Sequence, residues 1–316
     1  MRGRPRIQSC AVRVVFFGTP EFAVPSLEAV AREHEVALVV AQPDKPAGRG
    51  MKMQAPAVAV RARELGLALI QPPRIRTPEF LDQVAAAAPD AGIVVAYGRI
   101  LPYALLAIPR HGFFNVHGSI LPRWRGAAPI QRAIEAGDRV TGVTIMRVDE
   151  ELDHGPMLAI ATTEIGPDDR TPDLASRLAV IGADALVSAL RDVARGSAVE
   201  TPQDHASATL APKIEKNEAE VALDEPATAI YDRFRAFDPW PGVFMRSSGE
   251  VVKLTDMRLG DGNGAPRTVL SIDDGVLLAT GSGAIRVLEM QRAGKPRTPA
   301  AAVARGLGWR VGSAIS

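Results

Sequence analysis

From Val12 onward, short continuous apolar runs alternate with amphipathic stretches, the pattern of buried parallel strands joined by crossover helices. RVVFF (13–17) is the first such run, and GTPEF ends it, with Gly18 and Pro20 suited to a tight turn into a helix over 21–32. EVALVVA (35–41) predicts the second strand. The Pro- and Gly-rich stretch QPDKPAGRGMKMQAP follows, then a helix over 58–65 and a third strand at 68–70. The helix TPEFLDQVAAAA precedes a fourth strand, AGIVVAY, and residues 100–106 lead to a fifth, GFFNVH. This strand–helix–strand order predicts an α/β domain with a Rossmann-like, doubly wound, mostly parallel sheet.

After SILPRWRGAAP the pattern predicts a helix over 130–136. VTGVTIMRV and PMLAIATTEI then alternate as a hairpin joined by DEELDHG. The amphipathic DLASRLAVIGADALVSALRDV is a long helix closing the domain near Gly196, and the polar, weakly patterned SAVETPQDHASATLAPKIEKNEAE reads as a linker. Past one more helix at 227–237, short β-like runs broken by Gly and Asp predict a smaller OB-like barrel. The expected organisation is a disordered basic extension at 1–11, a first domain at 12–198, a linker at 199–215 and a second domain at 216–316.

Composition adds bounds to this picture. With 316 residues and 47% hydrophobic residues the chain can build two ordinary cores. A net charge of +1 neither marks nor excludes nucleic-acid binding, so local charge must decide. One cysteine, Cys10, allows no internal disulfide and no thiolate cluster, which fits a reducing cytoplasm. The leader MRGRPRIQSC is basic without an apolar core, so it reads as an extension or an upstream start, with an RNA-touching arm as the rival reading. No apolar run approaches the roughly 20 residues of a membrane span.

The most informative segment is FFNVHGSILPRWRGAAP. Asn115 and His117 stand two apart at a predicted strand end, so both leave the same face at the sheet's carboxyl edge, where open α/β sheets place their sites. The alternatives are a capping Asn and a hydrogen-bonded core His. Asp153, in DEELDHG, could fix the His117 tautomer, or could serve as an Asx-turn residue before Gly155. Asp149, Glu150 and Glu151 read as a solvated acidic run, and His154 as their turn neighbour. Five scattered histidines show no ligand spacing, so no catalytic metal is expected. GTPEF lacks the G-x-G-x-x-G phosphate cradle, which argues against a dinucleotide. Lys45, Arg49 and Lys52 face only Asp44 in their loop, and Arg286, Arg292, Lys295, Arg297, Arg305 and Arg310 face only Glu289, which makes RNA a candidate partner. Trp240, in DPWPG, is expected in the core of the second domain, and Trp124 beside the SILP loop.

GTPEFAVPSLEAV, QPDKPAGRG, FNVHGSILPRWRGAAPIQRAI, LDHGPML, APKIEKNEAE and FDPWPG together resemble the methionyl-tRNA formyltransferase family, over residues 12–295. The N-x-H with a later Asp is shared by folate formyl-transfer enzymes at large, whereas PDKPAGRGMKM beside SILPRWRGAAP is specific to the tRNA family. The resemblance implies Asn115, His117 and Asp153 as catalytic residues. It places the folate against Ser119, Ile120, Leu121 and Pro122, with Ile100 and Leu101 lining the pterin slot. It puts the tRNA acceptor end on Lys45, Arg49 and Lys52. It further implies 10-formyltetrahydrofolate as co-substrate, initiator methionyl-tRNA as partner, no membrane, and a cytoplasmic monomer. A sugar-nucleotide formyltransferase, or a catalytically silent RNA-binding protein on the same scaffold, are the alternatives. His154 where Thr is common, ALDEP without the expected Trp, and the tail after Thr298 depart from the family pattern.

Overall fold

The computed structural model describes residues 11–47 and 52–315. In chain order the first elements are β1 (Arg13–Gly18), α1 (Val24–Glu33), β2 (Glu35–Val40), β3 (Lys45–Ala47), β4 (Lys52–Gln54), α2 (Ala57–Glu64) and β5 (Leu69–Ile70). Next come α3 (Pro78–Ala86), β6 (Ala91–Val95), α4 (Tyr103–Leu106), β7 (Phe113–His117), β8 (Arg125–Gly126) and α5 (Pro129–Glu135). They are followed by β9 (Val140–Arg147), β10 (Met157–Glu164), α6 (Thr171–Arg195), β11 (Leu210–Ala211) and α7 (Ala227–Ala236). The chain ends with β12 (Phe244–Ser247), β13 (Glu250–Gly260), β14 (Val269–Ile272), β15 (Val276–Ala279), β16 (Ala284–Arg292), β17 (Thr298–Pro299) and α8 (Ala300–Gly306).

Two compact units emerge. Of the described residues, the first takes those within 1–127, 140–163 and 175–211; the second takes those within 128–139, 164–174 and 212–316.

In the first unit a sheet runs in the order β10-β9-β7-β6-β1-β2-β5. β1 pairs in parallel with both β2 and β6, and β7 continues the parallel set before β9 returns antiparallel. The chain thus winds outward from β1 in both directions, and the carboxyl ends of β1, β6 and β7 lie along one edge at the reversal. Thr19 Oγ1 (3.1 Å) and Gln42 Nε2 (2.7 Å) both donate to the Tyr97 carbonyl, tying the ends of β1 and β2 to the turn after β6. Beneath that edge Phe17 packs edge-on against Phe80, Tyr97 and Phe113, in a buried apolar cluster that includes Val15, Leu38, Val40 and Leu105. Their continuous apolar runs follow from strands covered on both faces.

Residues 199–211 of the expected linker belong to this unit. Thr201 exchanges backbone hydrogen bonds with Met157, and β11 lies parallel to β8.

The second unit carries an antiparallel sheet, an open path β12-β13-β16-β15-β14 with β17 beside β16. The strands fall where the sequence placed its short β-like runs, and a helix, α8, follows them. Two expectations are corrected here. Trp240 is 50% exposed, whereas Trp309 is buried and its Nε1 donates to Ser247 Oγ at 3.2 Å. The arginines of β16 are not unopposed: Arg286 pairs with Asp273 and Asp274, and Arg292 makes two parallel bonds to Glu250. Counting charge along the chain missed acids delivered by neighbouring strands and turns.

One buried base gives the first unit a pH dependence. His34 Nδ1 accepts from the Val12 backbone N–H at 3.2 Å, and burial pushes its pKa below the ordinary 6.5, with Glu33 opposing the shift and Arg191 reinforcing it. The unfolded chain therefore binds more protons here than the native one, so this stability is present above the unfolded value and is lost as pH falls below it. His34→Asn keeps an acceptor for Val12 but cannot take up a proton. Its melting temperature should fall less than wild type between pH 7 and 5; equal slopes in thermal melts would refute the assignment.

Candidate active site

β7 carries Asn115 and His117 to the carboxyl edge on one face, as their spacing requires. His117 is 5% exposed. Past the strand the chain is pinned by its own hydrogen bonds: Leu121 N donates to Thr144 Oγ1 (3.1 Å), Thr144 Oγ1 to the Ser119 carbonyl (2.8 Å), and Ser119 Oγ to the Arg123 carbonyl (2.6 Å). This loop brings Trp124, at φ +66°, around so that its carbonyl lies 2.9 Å from His117 Nε2. A carbonyl only accepts, so Nε2 holds the hydrogen. Nδ1 is left as the nitrogen facing the site.

Opposite it stands Asp153, Oδ2 3.5 Å from His117 Nδ1. Its Oδ1 accepts from Asn115 Nδ2 at 3.3 Å and its Oδ2 from the Gly126 N–H at 2.9 Å. The three polar residues singled out in the sequence thus converge, Asn115 hydrogen-bonded to Asp153 and His117 Nδ1 facing the carboxylate, on β7 and the turn between β9 and β10. Asp153 holds φ +48°, a left-handed backbone that Asp tolerates better than most residues. Gly126 is required beside it, at φ +125°, because a Cβ there would lie 2.7 Å from the Ala211 carbonyl.

The other sequence-named residues fall as follows. Ser119 and Leu121 are buried within the loop, and Ile120 and Pro122 are half-buried. Just beyond the end of β6, Ile100 is 72% exposed while Leu101 beside it is buried. Lys45 and Lys52 are exposed on a two-stranded hairpin whose register sets Ala47 opposite Lys52, so both lysines share a face. Lys45 Nζ donates to Gln42 Oε1 at 2.6 Å. Arg49 lies outside the described residues. Trp124, half-buried, has the Arg123 guanidinium 4.4 Å from its ring centroid. His154 is more than a turn neighbour: its Nδ1 lies 2.8 Å from Asp149 and its ring stacks on His205 at 4.0 Å.

Sequence reasoning missed the backbone partners, Trp124 carbonyl and Gly126 N–H, which no residue type announces. It also missed Gln203 and Arg125, both buried and bonded to each other. Among the described residues no cluster of His, Cys, Asp or Glu is arranged to hold a metal ion, and no helix is long and apolar enough to cross a membrane.

Comparison with known proteins places this geometry. Residues 12–190 match the family described as Formyl transferase, and residues 213–308 match Formyl transferase, C-terminal domain. The methionyl-tRNA formyltransferase of Paracoccus denitrificans is 46% identical, covering 94% of this chain and 98% of its own length. That of Thermus thermophilus is 43% identical over 96% and 99%. Among solved structures, a Helicobacter canadensis N-formyltransferase in complex with folinic acid and dTDP-3-aminofucose superposes with a TM-score of 0.68, at 16% identity, over 89% of this chain and 99% of its own. Aquifex aeolicus HypX in complex with tetrahydrofolic acid gives 0.63 at 22% identity, over 95% of this chain and 48% of its own. On this identity and coverage, the chain belongs to the methionyl-tRNA formyltransferase family of formyl transferases.

Proposed function

We propose that this protein moves the formyl group of 10-formyltetrahydrofolate to the α-amino group of methionine on initiator methionyl-tRNA, for translation initiation. The observation that carries the reading is the convergence of Asn115, His117 and Asp153 at the carboxyl edge of the sheet.

The folate supplies the formyl group as an activated amide. Attack by the amine makes a tetrahedral carbon bearing an oxyanion, which needs preorganised donors. Asn115 Nδ2 spends one hydrogen on Asp153 and has a second to offer. His117, with Nε2 committed to the Trp124 carbonyl, donates through Nδ1 when it carries a second proton. Asp153 takes the proton shed by the amine, directly or through water, and as the tetrahedral carbon collapses the C–N bond to the folate breaks and that proton passes to the departing folate nitrogen. The exposed Ile100 beside the buried Leu101 offers an apolar face of the kind a pterin ring covers, and the SILP segment begins two residues past His117. Lys45 and Lys52 share a face on their hairpin, which suits an RNA backbone. Arg49 joins them on the chemistry of its planar fork, and residues 216–316 serve as a tRNA-binding, OB-like domain. In this reading the protein works as a cytoplasmic monomer.

The test offers purified protein and 10-formyltetrahydrofolate two acceptors in parallel: charged initiator tRNA and an amino-sugar nucleotide. Formylation of the methionyl-tRNA alone is expected. Formylation of the sugar alone would replace this reading with the sugar-nucleotide one.

A further inference from the structure

Asp153 sits in a turn whose own backbone is unfavourable for a side-chain-bearing residue, so its carboxylate stays in place only if the surroundings over-determine the turn. One such restraint comes from far along the chain. Gln203 Nε2 donates to the Asp153 carbonyl at 2.9 Å and to the Gly155 carbonyl at 2.7 Å, spanning the turn from one side to the other. Both hydrogens of one amide are used on the two carbonyls that flank His154.

The other end of the same amide is fixed as well. Gln203 Oε1 accepts from Arg125 Nε (3.0 Å) and Nη2 (2.6 Å), and Arg125 Nη2 reaches His205 Nδ1 at 2.9 Å. His205 in turn stacks on His154. Gln203 is 5% exposed and Arg125 8% exposed, so no water competes freely for these bonds. Arg125 is also the neighbour of Gly126, whose N–H holds Asp153 Oδ2. The amide therefore ties together the two backbone segments that fix the Asp153 carboxylate: the turn carrying it and the segment donating to it.

We infer that Gln203 is a positioning residue for the reaction, acting through Asp153 by holding its turn at both carbonyls. The inference rests on the reading of Asp153 as proton acceptor. Gln203 touches neither Asn115 nor His117 in the hydrogen bonds described, and its effect belongs to kcat rather than to substrate affinity.

Two variants separate the ends of the side chain. Gln203→Met removes both donor and acceptor at similar volume. Gln203→Glu keeps the acceptor that holds Arg125, and so the fold, but loses the donor to the two carbonyls. Each is measured for kcat and for KM toward 10-formyltetrahydrofolate and methionyl-tRNA, alone and in an Asp153→Asn background. Both should lower kcat by about tenfold or more with both KM values little changed, and neither should lower it further once Asp153→Asn is present, since residues acting through one another are not additive. Wild-type kcat in Gln203→Glu, a loss confined to KM, or an undiminished loss in the Asp153→Asn background would each overturn the inference while leaving the site reading intact. Full turnover in Asp153→Asn itself would overturn both.

Discussion

His117→Ala should lower kcat by about 10²–10³, the usual cost of removing one preorganised donor to an oxyanion. Binding of methionyl-tRNA and folate should change little, because the imidazole is buried, bonded to the Trp124 carbonyl and set 3.5 Å from Asp153, rather than displayed as a binding surface. The substitution also leaves that carbonyl without its partner, a cost of about 1–3 kcal/mol in stability. A modest drop in melting temperature is therefore expected alongside the kinetic loss. The two are separable by assaying well below the melting transition: a variant that is folded, binds both substrates and turns over at the wild-type rate would remove His117 from the chemistry.

Asp153→Asn should be equally severe for a different reason. The carboxylate accepts on both oxygens, Oδ1 from Asn115 and Oδ2 from the Gly126 N–H. An amide has only one acceptor, so one of those donors must face an NH2 group. Asparagine tolerates the left-handed backbone at this position, so the turn should survive. We expect kcat to fall by at least about a hundredfold with KM largely retained, as for an interaction made mainly in the transition state. Intact turnover with only a lower melting temperature would make Asp153 a turn residue and nothing more.

The sequence was legible where physical constraints are periodic or local. Runs such as RVVFF and AGIVVAY are continuous because β1 and β6 are covered on both faces, and the spacing of Asn115 and His117 settles their shared face once β7 is recognised. Legibility ended where the partner is distant or is backbone. Nothing in PQDH marks Gln203 as buried, since its four hydrogen-bonding contacts come from residues about 50 and 78 positions away. The same limit explains the arginines of β16. Their acids arrive from β13 and from the turn between β14 and β15, so a one-dimensional charge count left them unopposed. Trp240 misled because a tryptophan among prolines has the composition of a core corner, yet half of it faces solvent, while Trp309 in the unfamiliar tail is the buried one.

The central claim is that His117 and Asp153 act as one unit on the formyl-transfer step, and single-turnover kinetics on preassembled enzyme, 10-formyltetrahydrofolate and methionyl-tRNA tests it most directly. The double variant His117→Ala, Asp153→Asn should be no slower than the slower of the two single variants, because the first substitution already removes what the second would disable. A double-variant rate reduced by the product of the two single losses would show two independent contributions and contradict the account.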